Sequence, residues 1–309
     1  MEQNERRRNL LRDYIRLLRP KHWIKNIFVL AGLVFGKQLL EGHSLLLALQ
    51  GFVCFCGLSS VAYILNDLRD RQADRQHPTK NKRPLAAGNI SAGPAVVVAI
   101  ILAVGCLAWS VRLDGKFAVI GLAYLILNMT YTVWLKNQPI VDVIAISLGF
   151  VLRAVAGVVL LEVELSPWLI VCTFCLCLFL GFGKRRGELN ELGERASAFR
   201  KVHELYTPVM LDHMLSVTSG ITVVAFLMYT LHPHTQEWIG NNYLLYTMPL
   251  VLYGIFRFSL LIQSGKASGP VEVILHDLPF QATLIGWVLI CLGIIYGGRL
   301  SELLSQMSS

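Results

Sequence analysis

The feature that most constrains this chain is its series of long apolar stretches. About nine of them, near 24–40, 44–65, 94–112, 117–134, 140–161, 167–183, 209–231, 243–262 and 281–299, are long and apolar enough for a helix to cross a bilayer. A helix satisfies its own backbone groups, which is why it can stand in hydrocarbon at all. The expected fold is therefore all-α: a polytopic membrane bundle of about nine transmembrane helices joined by polar loops. Composition agrees, with 54% hydrophobic and 16% charged residues against about 25% charged in a soluble domain. The stretch at 24–40 is the least regular, being interrupted by Gly32 and Gly36 and ended by Lys37. The chain is expected to divide into a basic amphipathic segment at 1–23, a transmembrane catalytic domain at 24–300 and a short tail at 301–309.

The net charge of +8 reports loops that face anionic lipid headgroups rather than a nucleic-acid partner. Basic residues crowd the N-terminus (Arg12, Arg16, Arg19, Lys21, Lys25), the loop after the second stretch and the loop after the sixth, where Arg195, Arg200 and Lys201 add to the count. The opposite side carries only Lys37, Arg112, Lys116 and Arg299. This asymmetry predicts a multi-pass protein of the inner (plasma) membrane, with the N-terminus and both long loops in the cytoplasm. Four stretches separate the two loops, which hints at a pseudo-repeat. Leu10, Leu11, Tyr14, Ile15, Leu17 and Leu18 among arginines predict a basic helix lying on the membrane surface. Cys172, Cys175 and Cys177 lie in an apolar run without a nearby histidine and read as packing residues, not metal ligands.

Chemistry concentrates where the second stretch ends. Asn66, Asp67, Asp70 and Asp74 fall within a sector of about 100° on a helix. Carboxylates so placed repel one another unless something positive lies among them. A divalent cation holding a diphosphate suits them, since hard cations take carboxylate and phosphate oxygens together; a solvated helix end is the plainer reading. The cations Lys80 and Arg83 follow in a loop punctuated by Pro78, Pro84 and Gly88, so they are expected to fold back over phosphate oxygens. The second loop opens with Lys184, Arg185, Arg186, Gly187, Glu188 and Glu191, an order that suits a second phosphate group as well as a second metal. A third set, Tyr131, Lys136 and Asp142, sits between the fourth and fifth stretches. Arg153 lies deeper, about three turns beyond Asp142, where an arginine needs a counter-ion on another helix or a polar cavity. Arg257 raises the same question.

The run Asn66-Asp67-x-x-Asp70-x-x-x-Asp74 resembles the first Asp-rich motif of the UbiA-type intramembrane prenyltransferase superfamily, and Tyr131…Lys136…Asp142 resembles its motif between spans four and five. A second D-x-x-x-D motif is usual after the sixth span; Gly183-Lys184-Arg185-Arg186-Gly187-Glu188 stands there instead. That departure, with Arg19-Pro20-Lys21-His22-Trp23-Ile24-Lys25-Asn26 and Gly149-Phe150-Val151-Leu152-Arg153-Ala154, resembles the decaprenyl-phosphate phosphoribosyltransferase branch. The resemblance implies Mg2+-dependent transfer of phosphoribose from phosphoribosyl pyrophosphate to a polyprenyl phosphate, giving pyrophosphate and a lipid-linked pentose for cell-envelope glycan. In roles so implied, Asp67, Asp70 and Asp74 hold Mg2+ with Asn66 in support, and Lys80 and Arg83 grip phosphates. Lys184, Arg185 and Arg186 bind a phosphate, Glu188 a ribose hydroxyl or metal, and Lys21, Lys25 and Arg153 are further anion contacts. Prenyl transfer to an aromatic or other small acceptor is the alternative enzyme, and a lipid or solute transporter the alternative outside enzymes. The number of ions, the lipid length and whether the chain forms a homo-oligomer stay open.

Overall fold

The computed structural model describes residues 2–164, 167–192 and 205–307. Arg195, Arg200 and Lys201 of the second loop lie outside them. The chain divides into two compact units, 1–164 and 165–309. Among the described residues eight helices are long and apolar enough to cross a membrane, and they fall four to each unit. The all-helical membrane fold is as the sequence predicts.

The first unit opens with α1 (Glu2–Leu18) and continues through a 3-10 segment (Pro20–Leu30) into the short α2 (Ala31–Phe35). Then come α3 (Gly42–Arg69), α4 (Arg71–Gln76), α5 (Pro84–Ala87), α6 (Ala92–Leu113), α7 (Gly115–Val133) and α8 (Val141–Leu160). One face of α1 packs on the bundle: Leu17 is fully buried, with Tyr14 and Leu18 beside it. Leu10, Leu11 and Ile15 are exposed on the other face. Phe55 of α3 stacks edge-on to Phe117 and lies 5.3 Å from the Tyr124 ring, both on α7. Outside this core α6 exposes Ile100, Ile101 and Val104, as a helix facing lipid does.

The expected helix at 24–40 is a correction. Pro20 starts the segment, Gly32 and Gly36 interrupt it, and the result is a 3-10 run and a single α turn, too short to be a span. It still travels the length of the unit. Ser60 near one end of α3 donates to the Leu18 carbonyl (2.9 Å), Asn26 donates to Ser59 (3.1 Å), and Gln38 donates to the Leu161 carbonyl beyond the far end of α8 (3.3 Å). Tertiary packing holds this irregular pass. A Cβ on Gly157 would collide with the Val29 carbonyl, and one on Gly32 would come within 2.7 Å of the Gly157 carbonyl oxygen. Two glycines therefore let the segment lie backbone to backbone on α8.

The second unit contains α9 (Pro167–Leu192), α10 (Pro208–Leu231), α11 (Pro233–Ile239), α12 (Met248–Gln263), α13 (Pro270–His276) and α14 (Leu278–Met307). Proline at the first helical position starts each of α9, α10, α11 and α13, where its missing N–H costs nothing. Gly187 of α9 lies so close to Ser268 that a Cβ would strike the Ser268 carbonyl. Arg257 is answered by Asp277, whose two oxygens accept from Nε (3.1 Å) and Nη2 (2.8 Å).

Candidate active site

In the first unit the carboxylates sit where α3 gives way to α4. The helix stops at Arg69 and Asp70 lies between the two helices, so Asp67, Asp70 and Asp74 do not share one uninterrupted helix. Their side chains turn to different cations as a result. Arg83 Nη1 donates to Asp67 (3.0 Å) and to Asp74 (2.6 Å). Arg19 pairs with Asp67, and Lys136 pairs with Asp70. Asp67, Asp74 and Lys136 are buried, Asp70 half-buried. No three acidic, cysteine or histidine side chains converge on one point among the described residues.

Arg83 clamps two carboxylates with one nitrogen. Its position depends on the loop's other arginines: Arg71 Nε donates to the Leu85 carbonyl (3.0 Å) and Arg75 Nε to the Ala86 carbonyl (3.2 Å), which ties α5 to α4. Arg83 then caps α5 from the extended side. Lys80 is half-buried on the 3-10 turn Lys80–Lys82. Asn66 precedes the break, its carbonyl accepting from the Asp70 amide at 2.9 Å. Tyr131 is half-buried near the end of α7, and Asp142 fully buried in the first turn of α8, where a helix N-terminus favours negative charge. Lys21 is exposed.

Patterning alone misses Arg19, placing it only among the surface cations of the N-terminal segment. It has a left-handed backbone (φ 54°, ψ 57°) between α1 and Pro20, a conformation costing a non-glycine residue about 1–2 kcal/mol. That turn sends the side chain inward to Asp67, with the guanidinium 5.1 Å from the Tyr63 ring centre. Burial pulls its pKa below the ordinary arginine value, against the opposing pull of Asp67. A basic residue just before proline, where a helix must end, is the signal that points to it.

Among the described residues Arg153 meets no acid. Its Nε donates to Asn26 Oδ1 (2.7 Å), Nη1 to the Gly149 carbonyl (2.9 Å) and Nη2 to the Tyr124 hydroxyl (2.6 Å). The counter-ion on another helix is replaced by neutral oxygens and by the faces of Tyr124 and Phe150, at 4.7 and 5.0 Å.

The second unit carries its own charged cluster on the last turns of α9. Arg185 is buried and donates to Glu188 (2.6 Å), which also lies 3.8 Å from Lys184 Nζ. Arg186 donates to Asp212 (3.0 Å) and bonds Asn190, which donates to the Ile262 carbonyl (2.8 Å). Glu188 is therefore held between two cations. Below this cluster, Glu272 accepts from the Ser268 amide and hydroxyl (2.7 and 2.8 Å), which holds its carboxyl below the ordinary range.

The donor set of the first unit fits a divalent ion bound together with a diphosphate. Each carboxylate now has a cation as partner; an ion could take that place, and Arg19, Arg83 and Lys136 would then be free for phosphate oxygens.

Comparison with known proteins shows the family. The model of the UbiA prenyltransferase family matches residues 26–276. The decaprenyl-phosphate phosphoribosyltransferase of Corynebacterium glutamicum is 34% identical over 307 residues, covering 96% of this chain and 91% of that protein. The protein of the same description from Mycobacterium tuberculosis is 31% identical over 284 residues, covering 91% and 93%. A UbiA homologue from Archaeoglobus fulgidus, solved bound to GPP and Mg2+, has the same fold, with a TM-score of 0.70 at 22% identity over 92% of this chain and 99% of that one.

Proposed function

The chain belongs to the UbiA prenyltransferase family, and we propose that within it this protein transfers phosphoribose from phosphoribosyl pyrophosphate to a polyprenyl phosphate, with Mg2+ as its ion. The observation that carries this reading is the cluster at the end of α9. Glu188 is neutralised by Arg185 and Lys184, so the second loop offers net positive charge where a second acidic metal site would need free carboxylates. Two anionic substrates must meet in this reaction, and cations bring them together. The 31–34% identity to two phosphoribosyltransferases over most of the chain points the same way.

The nucleophile is an oxygen of the lipid phosphate. It forms a bond to C1 of the ribose as the bond from C1 to the diphosphate oxygen breaks, and pyrophosphate leaves with the electron pair. The attacking oxygen is already anionic, so no general base is required. Asp67, Asp70 and Asp74 are the ligands assigned to the ion. When bound it supplies a hard positive charge toward the leaving diphosphate. Arg19, Arg83 and Lys136 take diphosphate oxygens and neutralise charge that develops on them. Arg186 and Lys184 bind phosphate in the second unit, with Arg185 holding Glu188 in place. The charge asymmetry supports a plasma-membrane protein whose N-terminus and long loops are cytoplasmic.

The test uses purified protein in detergent, phosphoribosyl pyrophosphate labelled in the ribose, a polyprenyl phosphate and Mg2+. Label entering the lipid phase is the expected result. No transfer, alongside prenylation of an aromatic acid from a prenyl diphosphate, overturns the reading.

A further inference from the structure

Two cations of the first unit, one buried and one half-buried, meet no acid among the described residues. Asp67, Asp70 and Asp74 are taken up by Arg19, Arg83 and Lys136. Arg153 and Lys25 are not among those pairs. Arg153 is 5% exposed and, among the described residues, bonds neutral acceptors. Lys25, next in sequence to the Asn26 that receives Arg153 Nε, has no hydrogen bond or ion pair among the described residues, and is half-buried. The side-chain charges that act on it are those of Arg153 and Arg19, both positive. An ammonium that feels two guanidiniums, of which only Arg19 has an acid partner, works against folding. A chain gains from such an arrangement only when a ligand brings the missing negative charge.

The place of this pair narrows the ligand. Asn26 donates to Ser59 and to Cys56 of α3, at 3.1 and 3.4 Å, two turns and more from Asp67. That is about 12 Å along the helix, too far for one phosphate group to touch both. We propose that Lys25 and Arg153 form a seat for a phosphate monoester, separate from the carboxylates that face the diphosphate. A monoester carries about −1.5 to −2 charge near pH 7, which two otherwise unanswered cations match. This rests on the proposed reaction for its biological ligand, since both substrates there carry such a group: the lipid as its headgroup, the sugar at its 5-position. The seat itself is a property of the first unit and is measurable without turnover.

The experiment is equilibrium binding to the full chain in detergent, with no divalent ion and no diphosphate. Farnesyl phosphate, farnesol and ribose 5-phosphate are the probes, and the wild type is compared with Lys25→Met and Lys25→Arg. One of the two monoesters should bind the wild type and lose about 10- to 100-fold in affinity with Lys25→Met. Lys25→Arg should restore it, and farnesol should be indifferent to both changes. Loss confined to farnesyl phosphate identifies the lipid headgroup; loss confined to ribose 5-phosphate identifies the sugar phosphate. The thermal midpoint of the empty protein should hold or rise in Lys25→Met, because a repelled cation has been removed. A fall in that midpoint makes Lys25 a structural residue and overturns the proposal, as does equal monoester binding by wild type and Lys25→Met or no binding by either. If transfer of phosphoribose fails while Lys25-dependent monoester binding persists, only the assigned reaction is refuted.

Discussion

Arg83 clamps two carboxylates with one nitrogen, and Arg83→Gln should therefore tighten binding of a divalent ion on its own while weakening binding of the diphosphate. The distances from Nη1, 3.0 Å to Asp67 and 2.6 Å to Asp74, place the two oxygens no more than about 5.6 Å apart. Two unit negative charges at that separation repel by about 3 kcal/mol at an effective dielectric constant of about 20. In the wild type Arg83 offsets this repulsion and an incoming ion must displace it. In Arg83→Gln the repulsion is open and the ion itself relieves it. Arg19 stays on Asp67 and absorbs part of the effect, so the expected gain in ion affinity is about 10- to 100-fold. Mn2+ binding followed by electron paramagnetic resonance, with and without pyrophosphate, measures both halves. Wild-type protein should bind Mn2+ weakly alone and much better with pyrophosphate; the variant should bind it well alone, with most of that coupling lost. Unchanged or weaker ion binding in a variant whose circular dichroism shows an intact helical fold would refute the exchange of cation for metal.

Three further outcomes are expected. Lys136→Gln should raise the KM of the diphosphate substrate about 10- to 100-fold, because one charge-assisted contact is lost; an unaltered KM in steady-state kinetics removes Lys136 from the site. Gly157→Ala should lower the thermal midpoint in detergent, by about 1–3 kcal/mol of stability, since its Cβ meets the Val29 carbonyl and the irregular pass must move. Glu272 is depressed by its two bonds from Ser268, so its contribution is fully present above the ordinary carboxylate value of 4.5 and is lost as pH falls through its folded value. Amide exchange at Ser268 should accelerate on acidification beyond its intrinsic trend, and Glu272→Gln should weaken that response; identical profiles count against the clasp.

Apolar runs decide a membrane fold from composition and length, because a bilayer admits few backbones other than a helix whose own groups are satisfied. The eight span-length helices among the described residues and the clustering of Asp67, Asp70 and Asp74 at one helix end were legible for that reason: both are local in sequence. The irregular pass at 20–41 was not. Its apolar content reads as a helix, and only the contact of Gly32 and Gly157 backbones lets a 3-10 run take that path.

The sequence by itself determined that this is a polytopic helical membrane protein with an acidic motif at one helix end and a basic one in place of its counterpart. It could not decide which charge meets which. Arg83 and Asp67, Lys136 and Asp70, and Arg153 and Asn26 are separated by 16, 66 and 127 residues, and spacing carries no information about such partners. Tertiary structure assigned Arg19 inward through one left-handed residue, gave Asp67, Asp70 and Asp74 each a cation, and left Lys25 and Arg153 without an acid among the described residues. The physical reason is that charge pairing depends on distance in space, and in a low-dielectric interior that distance decides whether a buried charge is answered by the protein or by its ligand.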